Sequence, residues 1–450
     1  MDYVLLKELW SKITIPEHID IPMNDKTAVL KIQPKESFKI LNSFATEIWN
    51  SMLNKRELDE VVSDIMAEYE VDREKLLVDL KEFLEYLQVE KMIMIKGKES
   101  KFLESCAIDE KTQVANGTNY NEVFLYYSKE NRPFKVFLEI TYNCNLRCRH
   151  CYLGEDTSKQ LKLLSFDEIV DIINQLKKAG VLELVITGGE VASRSDYLDI
   201  LSYATSQKLM VVLLTNATLI NDSAIKEIVQ MNLYDCQVSI YGLPQYHDSF
   251  VGLDGAFERS MNFLEKLNKE KGIGTGICIL TEESYKDIEQ IKELFKERKI
   301  PLRLSPYIYP TIYGDKKPVS YQINEEQQKN FFESTNQKYG GNLCVAGLSR
   351  FRITPVGDVN PCEMLRNIKL GNLRENSFDE IMHNNVRKEW IETFRKVQKQ
   401  RQCSNCELRG YCGNCIGVAY LKHDDYCAVS DDCCQTARIQ YECRHRNLDS

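Results

Sequence analysis

Three thiols crowd one short stretch of this chain: Cys144-Asn-Leu-Arg-Cys148-Arg-His150-Cys151, a C-x3-C-x2-C spacing. Three thiolates on one loop cannot saturate a cube of four irons, so a cluster held there keeps one iron open as a chemical handle. A zinc loop is the competing reading, but structural zinc takes four ligands, usually from C-x2-4-C pairs. A second array fills the C-terminal hundred residues. Cys344 is followed by Gly357 and Cys362, then by Cys403-x2-Cys406-x5-Cys412-x2-Cys415, and finally by Cys427, Cys433, Cys434 and Cys443. A zinc ribbon asks for about 15 to 20 residues between its two C-x2-C pairs; here five intervene. Of 16 cysteines, 13 lie in these two places. The start, MDYVLLKELWSKI, lacks a basic n-region followed by a long apolar run, so a cytoplasmic chain is expected, and in that compartment clustered cysteines point to metal rather than disulfides.

The first three thiols need a scaffold. From Lys135 onward, short apolar runs alternate with amphipathic helices, the pattern of βα units around a parallel sheet. Strands are expected over 136–141, 183–187, 210–215, 235–240, 274–280 and 302–308, with helices between them, one opened by the Ser165-Phe-Asp-Glu168 capping box and another over 284–299. Six units are too few for a closed eight-fold barrel. The fold class expected is therefore α/β, a partial (β/α)6 TIM-like barrel whose chemistry follows each strand. The cysteine loop follows the first strand and Thr187-Gly188-Gly189-Glu190 ends the second. Asn216 follows the third, and Ser239 lies in the fourth.

Residues 1–95 form a segment of another kind, with 12 Lys/Arg against 19 Asp/Glu. Two β-prone stretches, 28–33 and 37–42, precede three amphipathic helices, the third starting at Asp72 as N-cap; a small domain with a sheet edge beside a helix is expected, a geometry that accepts an extended peptide. Residues 96–134 read as a linker, 135–308 as the barrel, 309–342 as a bridge with one polar helix over 324–338, and 343–450 as loops organised around metal. The net charge is −9 and the cysteine-rich segment carries 16 basic against 14 acidic residues. No basic patch recommends nucleic acid, and no run of 18 apolar residues recommends a membrane span.

The three cysteines with His150 before the last, and the Gly-Gly-Glu segment after the second strand, resemble the radical S-adenosylmethionine superfamily. That resemblance implies a [4Fe-4S] cluster on Cys144, Cys148 and Cys151, and S-adenosyl-L-methionine chelated to its open iron and cleaved to a 5′-deoxyadenosyl radical. It further implies cofactor contacts from His150, Thr187, Gly188, Gly189, Glu190, Asn216, Ser239 and Arg259. Val251, where many relatives carry Arg, departs from the pattern and puts Arg259 in doubt. The C-terminal array resembles the SPASM domain, with x2 instead of x3 before Cys415. It implies two auxiliary [4Fe-4S] clusters, one on Cys403, Cys406, Cys412 and Cys434, with Cys433 as alternate, and one on Cys344, Cys362 and Cys415. The second of these sets leaves an iron open unless Cys427 or Cys443 folds back. KIQPKESFKILN through VDREKLLVDLKEFLEYL resembles the PqqD-like domain that recognises leader peptides of ribosomally made natural products. The whole layout is similar to CteB-type, thioether-forming sactisynthases of SCIFF peptides. It implies a Cys-rich precursor peptide as partner, its core Cys on the open auxiliary iron, and an electron donor such as flavodoxin or ferredoxin. A SPASM peptide dehydrogenase or C–C cross-linking maturase is the alternative within enzymes, and a zinc-stabilised peptide-binding adaptor the alternative outside them.

Overall fold

A computed structural model describes residues 3–14, 19–20, 28–32, 37–41, 43–69, 71–89, 92–95, 120–154, 161–335, 344–400, 402–413, 415–429 and 431–445. The chain folds as two compact units, Met1–Lys129 and Glu130–Ser450. Most of the expected linker, and the end of the expected helix over 324–338, lie outside the described residues.

In the larger unit six strands lie in the order their βα units predict. They are β1 (Lys135–Glu139), β2 (Glu183–Thr187), β3 (Met210–Thr215), β4 (Asp235–Ile240), β5 (Gly274–Ile279) and β6 (Leu302–Ser305), each parallel to its neighbour. ELVIT and MVVLLT are apolar without alternation because both faces of these strands are buried, one under the helices and the other in the barrel interior; β2 is buried along its whole length. The capping box at Ser165 and Glu168 is formed and starts helix Phe166–Lys178.

The sheet does not stop at β6 and β1. Strand β7 (Arg350–Ile353) adds parallel to β1, and β8 (Asp358–Asn360) and β9 (Gly371–Asn372) continue antiparallel, giving nine strands in the order β6-β5-β4-β3-β2-β1-β7-β8-β9. The expectation of metal-organised loops beyond residue 343 is thus corrected. That segment supplies three strands and the helices Phe378–His383, Asn385–Gln400, Ile416–His423 and Asp431–His445. Its strands are two to four residues long, too short to show a period. A buried ion triad ties the added sheet to the barrel. Glu139, 1 % exposed, accepts from Arg352 Nε at 2.8 Å and from Arg366 Nη2 at 2.6 Å, so two guanidinium groups share one carboxylate at the exit of β1. Burial alone would raise the pKa of Glu139, but the two arginines hold it below the usual carboxylate range.

The smaller unit contains a three-stranded antiparallel sheet, Ile19–Asp20, Ala28–Ile32 and Ser37–Leu41, with Ala28–Ile32 in the centre. Three helices follow: Ser43–Leu53, Leu58–Tyr69 and Arg73–Val89. Asp72 caps the third, accepting from Glu74 N and Lys75 N. Of the expected apolar faces, Leu58, Val61, Val62 and Ile65 of the second helix and Leu76, Leu80, Phe83, Leu84 and Leu87 of the third form its core, joined by Leu6 and Trp10 of an N-terminal helix, Tyr3–Ser11; Met66 and Leu77 pack against it, and Tyr69, expected on the same face, is exposed. Among the described residues no helix is long and apolar enough to cross a membrane.

Candidate functional site

The ends of β1, β2 and β3 converge, and backbone contacts fix how. Leaving β1, the chain turns at Thr141, whose Oγ1 accepts from Asn143 N at 3.1 Å. The glycine pair after β2 then lies directly on this turn: Gly189 N donates to Thr141 O at 2.9 Å and Glu190 N to Asn143 O at 2.8 Å. A Cβ on Gly189 would sit 2.4 Å from Asn143 O and 2.5 Å from Tyr142 O, and one on Gly188 2.4 Å from Thr141 O. The close approach that the glycines permit is to the cysteine loop itself.

Glu190 was expected to offer its carboxylate to an ammonium. In the structure that carboxylate is 1 % exposed and turned inward, accepting from Thr215 Oγ1 (2.6 Å), Asn216 N (2.7 Å) and Ala192 N (3.0 Å). Burial pushes its pKa up, against the pull of those three donors. Its role here is to lock the end of β2 to the end of β3. Glu190→Ala would leave the three donors without their acceptor, and a loss of about 3–5 kcal/mol is expected. Urea unfolding of the two proteins measures it.

The cysteine loop is anchored on its far side by Arg147 N donating to Val251 O and Arg149 N to Phe250 O, both from the end of helix Pro244–Val251. Cys144 Sγ accepts from Leu146 N at 3.4 Å and lies 3.8 Å from Asn216 Nδ2. Asn216 also donates to Asn145 Oδ1 at 3.2 Å, so the residue after β3 reads the loop directly. Gly154 N donates to Cys151 O at 3.2 Å and Cys151 N to Cys148 O at 3.0 Å, which closes the loop's last turn. Burial raises all three thiols, Cys148 to about 12. Buried thiols become thiolates when a bound cation supplies positive charge, and three on one loop are a ligand set suited to an iron–sulfur cluster. Among the described residues no three His, Cys, Asp or Glu side chains converge as for a single metal ion.

His150 lies within the aromatic packing beneath the loop. Its ring is 4.6 Å from that of Tyr241 and 5.1 Å from that of Phe250, burial lowers its pKa to about 4, and its Nδ1 is buried with no hydrogen-bond partner among the described residues. Thr187 is buried at the end of β2. Ser239 is half-buried in β4, two residues before Tyr241, a buried residue that sequence reasoning passed over. Arg259 is not brought to the site: it is exposed on helix Ala256–Glu270 and donates to Asp254 O at 2.8 Å, as a helix-surface arginine does.

The C-terminal cysteines separate into two groups. Cys403, Cys406, Cys412 and Cys434 line one cavity of about 80 Å³, together with Arg409 and Arg438. Cys344 and Cys362 interact electrostatically with Cys415, whose thiol burial raises to about 11. Cys433, one residue before Cys434, lies near both groups, coupled to Cys415 and to Cys434. Cys443 is buried against Lys329 O and Glu333 at about 3.8–3.9 Å, on the opposing helix Glu325–Ser334. Cys236 and Cys278 are fully buried in β4 and β5.

Residues 138–295 match the radical SAM superfamily model, 344–407 the SPASM iron–sulfur cluster-binding domain, and 32–93 the coenzyme PQQ synthesis protein D model. The chain is 28 % identical over 340 residues to the AdoMet-dependent heme synthase of Methanosarcina barkeri, covering 66 % of this chain and 95 % of that one. It is 25 % identical over 408 residues to the antilisterial bacteriocin subtilosin biosynthesis protein AlbA of Bacillus subtilis, covering 85 % and 84 %. The crystal structure of Streptococcus suis SuiB bound to precursor peptide SuiA superposes with a TM-score of 0.63 at 16 % identity, over 94 % of this chain and 100 % of that one, a likeness of fold.

Proposed function

From a chain that unites radical SAM, SPASM and PqqD-like domains, we propose a peptide maturase that joins a cysteine sulfur of a ribosomally made precursor to a carbon of the same peptide, a sactionine-type thioether. Radical SAM domains bind S-adenosylmethionine and a [4Fe-4S] cluster, SPASM domains bind further clusters, and together these groups supply hydrogen-atom abstraction from an unactivated carbon. Cys144, Cys148 and Cys151 would hold the first cluster, with Gly188, Gly189 and Asn216 shaping the adjoining cofactor side. Cys403, Cys406, Cys412 and Cys434 would hold one auxiliary cluster, and Cys344, Cys362 and Cys415 the other.

The observation that carries the thioether reading is this last group, which has three protein thiols where a closed cluster takes four. Cys443 is committed to the helix at Glu325–Ser334. A peptide thiol fits the remaining position, and Arg350, which interacts with Cys362, adds positive charge that favours its thiolate form. In the smaller unit, strand Ser37–Leu41 forms one edge of its three-stranded sheet. A leader peptide adding there gains main-chain hydrogen bonds and raises the local concentration of the core peptide. A precursor peptide in the SuiB structure and the place of AlbA in bacteriocin biosynthesis support a peptide substrate.

A second reading, a SPASM dehydrogenase or C–C cross-linking maturase with both auxiliary clusters closed, is favoured by the nearness of Cys433 to Cys415. Electron paramagnetic resonance of the reduced holoenzyme separates the two. On the thioether reading, N-acetylcysteine methyl ester perturbs one auxiliary signal equally in wild type and Cys433→Ala. A response seen in Cys433→Ala alone makes Cys433 the fourth ligand and favours the second reading.

A further inference from the structure

We propose that a cavity beside the cysteine loop is a carboxylate-recognition subsite for the precursor peptide, in which Arg366 and Lys369 receive an acidic side chain. The inference rests on the peptide-maturase reading and adds to it a feature of the substrate.

The cavity encloses about 460 Å³ in the larger unit, a size suited to a side chain and its flanking backbone. Tyr142 and Leu153, from the two ends of the cysteine loop, line one side of it, and Ile312 and Tyr313, beyond β6, line another. Ile312 N donates to Tyr152 O at 2.8 Å, which pins that second wall to the residue after Cys151. The remaining wall comes from β7, β8 and the connection from β8 to β9. Gly188, Gly189 and Asn216 take no part in the lining. The cavity therefore adjoins the cysteine loop away from the face that the ends of β2 and β3 shape.

Its charges do not balance. Arg352, Arg366 and Lys369 line it against a single carboxylate, Asp358. Arg352 is committed: Nε and Nη2 go to Glu139, Nη1 goes to Asn360 Oδ1 at 2.7 Å, and Nη2 also reaches the Tyr142 hydroxyl at 3.3 Å. Lys369 pairs with Asp358 at 2.6 Å. With those two pairs counted as neutral, Arg366 is left over. It shares Glu139 through Nη2 at 2.6 Å and gives Nε to the carbonyl of Glu363 at 3.1 Å, while its Nη1 makes no hydrogen bond among the described residues. The carboxylate of Glu363 is itself taken by Arg350. Only 11 % of the Arg366 side chain is exposed, so water compensates that free edge poorly. A guanidinium edge matches a planar carboxylate, and the Lys369 ammonium, half exposed at the mouth, has three donors of which Asp358 takes one. Asp358 also accepts from Asn372 Nδ2 at 2.8 Å, so an incoming anion can draw on Lys369 without stranding it. Leu153 and Ile312 offer apolar surface to the stem of the entering side chain. An acidic residue held here fixes the register of the peptide against the loop that carries Cys151.

The test is saturation-transfer NMR on reconstituted holoenzyme kept saturated with S-adenosylmethionine, with acetyl-Gly-Glu-Gly-amide and acetyl-Gly-Gln-Gly-amide as probes. The glutamate probe is expected to bind about tenfold more tightly than the glutamine probe, and Arg366→Gln to bring the two within about twofold. Lys369→Gln, at a half-exposed position, should cut the preference to about threefold, and it keeps the test valid where the Arg366 variant fails to fold. Lys266→Gln removes a cation paired with Asp222 elsewhere on the surface and should leave the preference intact. Equal binding of the two probes by the wild type, or a preference that persists in both cavity variants, overturns the inference. So does a preference seen only without S-adenosylmethionine, which makes the cofactor carboxylate the occupant, or tighter binding of acetyl-Gly-Gly, which makes it a chain terminus. The probes need no turnover, so these failures leave the maturase reading standing. A wild type that modifies no cysteine-containing precursor overturns that reading instead, and with it the precursor as owner of the carboxylate.

Discussion

Cys148→Ala is expected to reduce 5′-deoxyadenosine formation to below about one-thousandth of wild type, because a ligand of the first cluster acts with its two partners as one unit. Iron and sulfide should each fall from about twelve to about eight per chain, the loss of one cluster of three. The fold should survive. Cys148 is a buried thiol that burial pushes up to about 12, so its removal strands no charge, and the loop is held independently by Arg147 N on Val251 O and Arg149 N on Phe250 O. Product chromatography with iron analysis reads both effects. Undiminished iron, or retained cleavage, would contradict the assignment of this loop.

The second large effect is expected from the smallest substitution. Gly189→Ala places a methyl group 2.4 Å from Asn143 O and 2.5 Å from Tyr142 O, both backbone atoms. Asn143 O cannot retreat freely, since it already accepts from Glu190 N at 2.8 Å and Ser193 Oγ at 3.1 Å. Overpacking against committed backbone costs about 1–3 kcal/mol or more. Here that displacement falls on the turn leading to Cys144, so S-adenosylmethionine affinity should drop by about a hundredfold by calorimetry, with a lowered melting temperature. An unchanged affinity would mean that the contact between the β1 and β2 loops does not shape the site.

Much of this architecture is legible in the sequence, and what is not has physical reasons. Strands β2 and β3 announce themselves because burial on both faces makes them continuous apolar runs, β4 by its alternation of buried and half-buried residues, and the first three site segments sit where βα logic places them, at strand ends. The N-terminal helices are legible through their 3.6-residue stripes. Strands β7 to β9 are not, being too short for any period. The pairing of Glu139 with Arg352, 213 residues apart, leaves no local trace, although it joins the cysteine-rich segment to the barrel. Glu190 was read as a ligand group because a carboxylate at a strand end resembles one. Only the three donors around it reveal that its acceptors are used inside the protein. Tyr241 gives no sign in the sequence, because its surroundings are a box of rings contributed by the cysteine loop and by helix Pro244–Val251. Of the two auxiliary cysteine sets that the SPASM resemblance implies, one, Cys403, Cys406, Cys412 and Cys434, lines a single cavity, and the choice between Cys433 and Cys434 could not be read from adjacency in sequence.

The central claim is that this chain forms a bond between cysteine sulfur and carbon within a peptide. Anaerobic incubation of reconstituted holoenzyme with S-adenosylmethionine, a reductant and a cysteine-containing precursor peptide tests that claim by tandem mass spectrometry. The account predicts loss of two hydrogens for each bond formed, with the modified cysteines refractory to alkylation and the mass deficit shared between a cysteine and its acceptor residue. A peptide that loses two hydrogens while all its cysteines remain alkylatable would contradict it.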